Sequence, residues 1–219
     1  MKNIIIFISS IILIAGCSFK ETPNISQYKA NSAFTQYKKN FLSDENLLAS
    51  SDLKRAIKYA KTDANLDQLA TIYLGECALN NSVGIDDSCT KYKNIEPLVD
   101  DINLKAYYSL IRSKLTYQQI TLLPKEYQQF SLYINKKDFN KAFDEILKNS
   151  SISSTLISAN LIKDKLSKKQ IEKIIKLASF YGYKKSVLYW LNRLKNQTTN
   201  QIKKNRINKK IMILKSKLL

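Results

Sequence analysis

The chain has 219 residues and a formal net charge of +18, with four glycines, three prolines and no histidine. So few glycines and prolines exclude the many tight turns of a β-sandwich or β-barrel, and they leave no Gly-rich phosphate-binding loop. The lack of histidine excludes Ser-His-Asp and Cys-His catalysis, histidine metal sites and imidazole-based pH sensing. The composition predicts an all-α protein, and we expect it to carry no metal and no cofactor.

The N-terminal segment is an apolar run, Ile4 to Ile14, of eleven residues. As a helix it would span roughly 16 Å, far short of the ~20 apolar residues that a membrane-spanning helix needs. The run ends in Ile14-Ala15-Gly16-Cys17, which resembles the lipobox of bacterial lipoproteins. The resemblance implies that residues 1–16 are a signal peptide, and that the Cys17 sulfur receives a diacylglyceryl group while its new amine is usually acylated.

Acyl chains on Cys17 would anchor the protein, because each buried methylene contributes about 0.8 kcal/mol. In the enterobacterial sorting pattern an aspartate after the cysteine means retention at the inner membrane, so Ser18 implies the outer membrane, with its periplasmic face favoured over the cell surface. Residues 17–24 would form a polar tether of only about 20 Å. The alternative is an ordinary signal peptide or anchor helix with an incidental cysteine.

Helical periodicity runs through residues 25–196, which we predict to be one helical domain. Residues 197–219 follow as a basic C-terminal helix. Within the domain, the expected helices are Tyr28–Leu42, Leu53–Lys61 after caps at Ser51-Asp52, Asn65–Leu79, one running on from Pro97 to Leu115, one opened by Pro124, Asp138–Leu147, 151–163, one from the Ser167 cap to Gly182, and Tyr183–Asn196.

Two further cysteines, Cys77 and Cys89, are separated by eleven residues that include Gly84. Oxidising compartments favour disulfides in exported chains. The spacing also allows the chain to leave a helix and return. We therefore predict a Cys77–Cys89 disulfide, with two buried thiols as the alternative.

Three stretches look alike: SDLKRAIKYA (51–60), KDFNKAFDEI (137–146) and YGYKKSVLYW (181–190). Each has a leucine or aromatic residue near a turn and a small residue three positions later, as in the pairs Leu53/Ala56, Phe139/Ala142 and Tyr183/Ser186. This resembles the second helix of a tetratricopeptide repeat, where a small residue lets paired helices approach closely. The resemblance implies a tetratricopeptide-like or irregular helical-repeat solenoid; a compact helical bundle is the alternative.

Positive charge is concentrated in the last part of the chain. No acidic residue follows Glu172, whereas thirteen Lys or Arg lie between Lys173 and Leu219. Such asymmetry indicates a partner of opposite charge. Since an exported lipoprotein does not routinely meet nucleic acid, we expect anionic lipid, lipopolysaccharide or an acidic protein surface, with a merely solvated basic face as the alternative. The candidate contact residues are Lys203, Lys204, Arg206, Lys209 and Lys210.

The last helix also has an apolar seam. Its members step by four, three and four residues: Ile207, Ile211, Leu214 and Leu218. We favour a seam that closes the end of the helical array over one that docks on a partner helix or a membrane.

Among the aromatic residues, the pairs Tyr107-Tyr108 and Tyr181/Tyr183 are candidates to line a groove, although packing in a core explains them equally well.

These observations favour a membrane-anchored, non-enzymatic scaffold or assembly factor that binds a protein partner in the cell envelope. In plan it resembles outer-membrane assembly lipoproteins and secretin pilotins. One alternative is a surface-exposed lipoprotein that binds a host or ligand. The other is a cell-wall hydrolase that uses a carboxylic acid, for which the available residues are Glu76, Glu126, Glu145 and Glu172.

Overall fold

The computed structural model describes residues 24–216, and within that range the chain is helical and contains no strand. This confirms the all-α prediction. The α-helices are α1 (Ile25–Leu42), α2 (Asn46–Thr62), α3 (Leu66–Ser82), α4 (Thr90–Lys93), α5 (Ile102–Ile111), α6 (Lys125–Asn135), α7 (Phe139–Lys148), α8 (Ile152–Leu161), α9 (Lys168–Phe180), α10 (Lys184–Gln197) and α11 (Gln201–Lys215), with 3₁₀-helices at Glu96–Leu98, Tyr117–Leu122 and Lys163–Lys165. In the described part of the chain, no helix combines the length and the apolarity that crossing a bilayer requires.

Three antiparallel hairpins make up much of the body: α1 with α2, α6 with α7, and α9 with α10. The three look-alike stretches lie on the second helix of these hairpins. Their small residues Ala56, Ala142 and Ser186 are fully buried. Their burial agrees with small residues at these positions, since larger side chains would keep neighbouring helices apart.

The hairpins share one turn. Three residues separate the two helices of each hairpin, and the middle one is in the left-handed conformation. This residue is Asp44, Lys137 or Gly182, with φ of 73°, 58° and 71°. In the α6–α7 turn the backbone amide of Asp138 donates to the carbonyl of Tyr133. The two other hairpins repeat this bond, which belongs to the Schellman motif that satisfies the last carbonyls of a helix.

Measured from this turn, the small residues are not equivalent. Ala142 is the fifth residue after Lys137, whereas Ser186 is only the fourth after Gly182. The first stretch lies further along its helix, because α2 begins at Asn46 and not after Ser51-Asp52. The predicted caps there were therefore wrong.

Asp52 lies in the middle of α2 and is buried. Its carboxylate accepts a hydrogen bond of 2.7 Å from the Asn40 side chain on α1 and pairs with Arg55. A buried carboxylate needs such partners. Its sequence position looked like a helix start, but its function is to join two helices.

The predicted helix from Pro97 onward is interrupted. A short 3₁₀-helix ends at Leu98, Val99 is extended and fully buried, and α5 begins only at Ile102. The Asp101 side chain accepts a hydrogen bond of 2.8 Å from the Asn103 amide and caps α5. An aspartate in this position favours a new helix start over helix continuation.

The first and third hairpins also touch, since α1 contacts α10. The Lys185 ammonium lies 4.0 Å from the centre of the Phe41 ring and 3.7 Å from an Asp44 carboxylate oxygen, and it donates to the Asn46 side chain at 2.7 Å. In an open solenoid each unit contacts only its neighbours. This contact between distant hairpins is the arrangement expected of a compact bundle.

The Cys77 and Cys89 sulfurs lie 1.94 Å apart, at disulfide distance, and both residues are buried. Asp87 organises the loop between them. Its carboxylate accepts hydrogen bonds from the Cys89 amide at 2.7 Å and the Asn80 side chain at 2.8 Å, while its carbonyl accepts one from Asn81 at 3.0 Å. The loop is thereby tied to the C-terminal end of α3.

The left-handed turn provides a stability test at two exposed neighbours. Lys137 has a positive φ, a conformation that costs an L-residue about 1–2 kcal/mol of stability. Lys136 has a negative φ. Lys137→Gly should raise the free energy of unfolding by about 0.5–1 kcal/mol, and Lys136→Gly should lower it by a similar amount. Urea denaturation monitored by circular dichroism measures both. A loss of stability in both variants would contradict the turn geometry.

Reducing the disulfide should lower the free energy of unfolding by roughly 3 kcal/mol, because the cross-link closes a short loop in the unfolded chain. The measurement is denaturation with and without a thiol reductant. A Cys77→Ala/Cys89→Ala variant is the control and should not respond to the reductant. An equal response in that variant would show that the reductant acts elsewhere.

Candidate functional site

An open groove of about 1150 Å³ lies between α9 and α11, with α10 beneath it. Its apolar part is formed by Ile175 and Phe180 from α9, Leu191 and Leu194 from α10, and Ile207 from α11. Leu191 and Leu194 are 2% and 7% exposed, so this part of the groove is recessed.

Local sequence signals determine where α9 and α11, the two helices that form the walls of the groove, begin. Ser167 and Gln170 form a capping box that starts α9, and the Asn200 side chain caps α11 by accepting a hydrogen bond of 3.0 Å from the Lys203 amide. On α9, Ile174 and Ala178 are fully buried. The helical period then turns Ile175 and Lys176, which lie between them, toward the groove.

The inner face of α11 closes this end of the body. Ile207 and Ile211 are both buried, and Leu214 is half-buried against the main core. The seam predicted from the sequence therefore packs against the bundle over these three residues. Leu218 lies outside the described residues.

The walls are strongly basic. Six cationic side chains line the groove, against one carboxylate, Glu172. Within residues 24–216 none of the six forms an ion pair. They are Lys168, Lys169 and Lys176 on α9 and Lys203, Arg206 and Lys210 on α11. Like charges on both walls create a positive potential that an anionic ligand would reduce.

Of the five contact residues expected from the sequence, three line the groove: Lys203, Arg206 and Lys210. Lys204 and Lys209 lie on the same helix but do not line it. The contribution of α9 to this surface was not predicted, and its Ile175 is only partly buried. The sequence did contain a signal for this wall of the groove. Four residues recur at intervals of four and therefore share one face of a helix: Lys168, Glu172, Lys176 and Phe180.

An exposed aromatic cluster borders the groove. Phe180 is 82% exposed, and its ring centre lies 5.3 Å from that of Tyr181, which in turn stacks on Tyr183 at 5.8 Å. The other tyrosine pair considered from the sequence lies elsewhere: Tyr107 packs against Tyr127, and burial raises the Tyr107 pKa well above its ordinary value. Only Tyr181 and Tyr183 therefore lie near this surface.

The four glutamates considered for hydrolysis are dispersed. Glu76 pairs with Lys91 at 2.6 Å, and Glu145 pairs with Lys148 at 2.7 Å. Glu126 is exposed in the first turn of α6, and Glu172 is in the groove. Glycoside hydrolysis ordinarily uses two carboxyl groups across one cleft, and the groove between α9 and α11 contains only one of these four, Glu172.

Cys77, Asp87 and Cys89 also lie close enough together to resemble a metal-binding cluster. The two sulfurs are at disulfide distance from each other. A bonded pair offers no thiolate to a metal ion. Cys17, the predicted lipidation site, lies outside the described residues.

Comparisons with known proteins give no family for this chain: no protein-family model, curated protein or solved structure matches it.

The exposure of Phe180 can be tested against a buried counterpart. Phe180→Ala should change the free energy of unfolding by less than about 0.5 kcal/mol, because the ring contacts mainly solvent. Phe143→Ala, at a residue that is 1% exposed, should lower it by about 3–5 kcal/mol. Chemical denaturation measures both. A large loss at Phe180 would mean that the groove is closed in solution.

Proposed function

We propose that this protein is a lipid-anchored scaffold of the bacterial cell envelope that binds a protein partner through the groove between α9 and α11. The observation that carries the proposal is the groove itself, a recess between two basic walls whose accessible apolar lining is formed by Phe180 and the half-buried Ile175 above the buried leucines of α10. Exposed apolar surface with a charged rim is typical of interaction sites.

The lipobox resemblance at Cys17 supports the envelope location. With acyl chains on Cys17, the short tether would hold the helical body next to a membrane, and Ser18 favours the outer membrane. The Cys77–Cys89 pair fits this address, since disulfides persist in oxidising compartments. We place the body on the periplasmic side, where an assembly factor would meet its partner.

The three hairpins support a repeat origin for the body. Each has a small, fully buried residue on its second helix. We propose that they are degenerate tetratricopeptide-like units that have packed into a closed bundle, so that the surface between α9 and α11 is the part left open for binding.

Lipidation is tested by mass spectrometry of the protein isolated from its native membrane. The expected N-terminal residue is Cys17, carrying a thioether-linked diacylglyceryl group, and Cys17→Ala should prevent both processing and membrane retention. A retained Met1 together with an unmodified Cys17 sulfur would refute the lipid anchor.

The scaffold function is tested by chemical crosslinking in intact envelopes and identification of the partner. A reproducible envelope protein crosslinked to this chain is expected, and its absence would contradict the scaffold function.

Protease treatment of intact cells decides on which side of the outer membrane the helical body lies. Protection agrees with a periplasmic body, whereas digestion would favour the surface-exposed alternative.

A further inference from the structure

We propose that the groove between α9 and α11 binds an acidic amphipathic helix from the partner protein. This inference rests on the scaffold function and specifies the chemistry of its partner. The partner helix would place an apolar stripe on the groove floor and carboxylates against both walls.

The dimensions of the groove suit a helix. On α9 the cationic wall runs from Lys168 to Lys176, and on α11 it runs from Lys203 to Lys210. At 1.5 Å per residue these walls are about 12 Å and about 10 Å long, the length of two turns of a docked helix. Amphipathic helices commonly bind by laying one apolar face into such a groove.

The distribution of charge distinguishes a helix from a small anionic amphiphile. An amphiphile carries its charge at one end and its apolar chain at the other. Here the cations lie along both walls, with the apolar residues between them. A helix with Asp or Glu on both sides of an apolar stripe matches that pattern along its length, and charge complementarity of this kind sets specificity.

The shape of the groove opposes a flat bilayer surface. Leu191 and Leu194 lie at its base and are nearly inaccessible. A convex ligand fits between the walls and packs against Phe180 and Ile175 above these leucines, whereas a planar headgroup layer would contact only the tops of the walls. A second copy of this chain is also a poor occupant, because each copy has a net charge of +18 and the copies would repel each other.

Phe180 supplies an anchor at one edge of the groove. Its ring is 82% exposed and can pack against an incoming apolar residue, and aromatic side chains contribute much of the binding energy at protein interfaces. Tyr181 packs edge-on against it and limits its freedom.

The direct experiment measures the binding of a labelled synthetic peptide to the full mature chain in non-ionic detergent by fluorescence anisotropy. The probe is a helix of about fourteen residues, with a leucine stripe flanked by glutamates. One comparison peptide has glutamine in place of each glutamate, and another has the same composition in an order that breaks the stripe. Only the probe should bind, and its affinity should fall as salt is added.

Two charge-reversal variants separate local from overall electrostatics. Lys176→Glu/Arg206→Glu reverses one cation on each wall, and the matched control Lys54→Glu/Lys58→Glu makes the same change in net charge at exposed positions of α2. The groove variant should weaken binding by about tenfold or more, and the control by less than about twofold. Equal effects of the two variants, or equal binding of the glutamine peptide, would overturn the proposal.

Phe180→Ala tests the apolar contact with the charge unchanged, and circular dichroism shows whether each variant is folded. We expect this variant to bind the probe about tenfold more weakly. Unchanged affinity would overturn the assigned role of Phe180.

Phosphatidylglycerol vesicles provide the remaining comparison. If they bind in a way that depends on Lys176 and Arg206 while the peptide does not bind, the groove is a membrane contact and the proposal fails.

A photo-reactive residue in intact envelopes separates this proposal from the scaffold function. At Phe180 it should crosslink the partner, and at Tyr117, which is also exposed, it should not. Crosslinking only at Tyr117 would leave the scaffold function standing and refute the groove as its site. If neither these probes nor a general crosslinker captures a partner, the scaffold function itself fails.

Discussion

The burial of α10 is the constraint on which the rest of the structure depends. Its Trp190 is completely buried, and the helix contacts α1, α9 and α11. The neighbouring Tyr189 donates a 2.8 Å hydrogen bond to Asn160 on α8. A ring carbon of Tyr189 lies only 2.6 Å from the position that a β-carbon on Gly84 would occupy. One helix thus contacts the first and last described helices, packs against the disulfide loop and forms the groove floor.

The contact of Lys185 with the first hairpin shows how the two ends are joined. Its side chain passes over the Phe41 ring toward Asp44, and burial lowers the Lys185 pKa from its ordinary value while Asp44 acts in the opposite direction. Surface ion pairs alone contribute little. The desolvated ammonium over an aromatic face is the stronger element of this contact. It joins the first and third hairpins, which would not touch in an open helical repeat.

Local signals in the sequence predicted the helices well, because apolar periodicity, caps such as Ser167 and the turn glycine Gly182 act over a few residues. The same reasoning failed where a local signal competed with a contact between two helices. Ser51-Asp52 looks like a cap, but Asp52 pairs with Asn40, a contact that no short window contains. The groove was only half predicted for the same reason: the charge of α11 is visible in the sequence, whereas its placement opposite Lys176 of α9 depends on how both helices pack against α10.

The cysteines have a further consequence for biogenesis. The chain has three, Cys17, Cys77 and Cys89, and three free thiols can form three different pairs. If Cys17 is already blocked by a thioether, one pair remains, and it closes only a short loop next to α3. Oxidative folding would then need an electron acceptor but no isomerase, since there is no wrong bridge within the chain to correct.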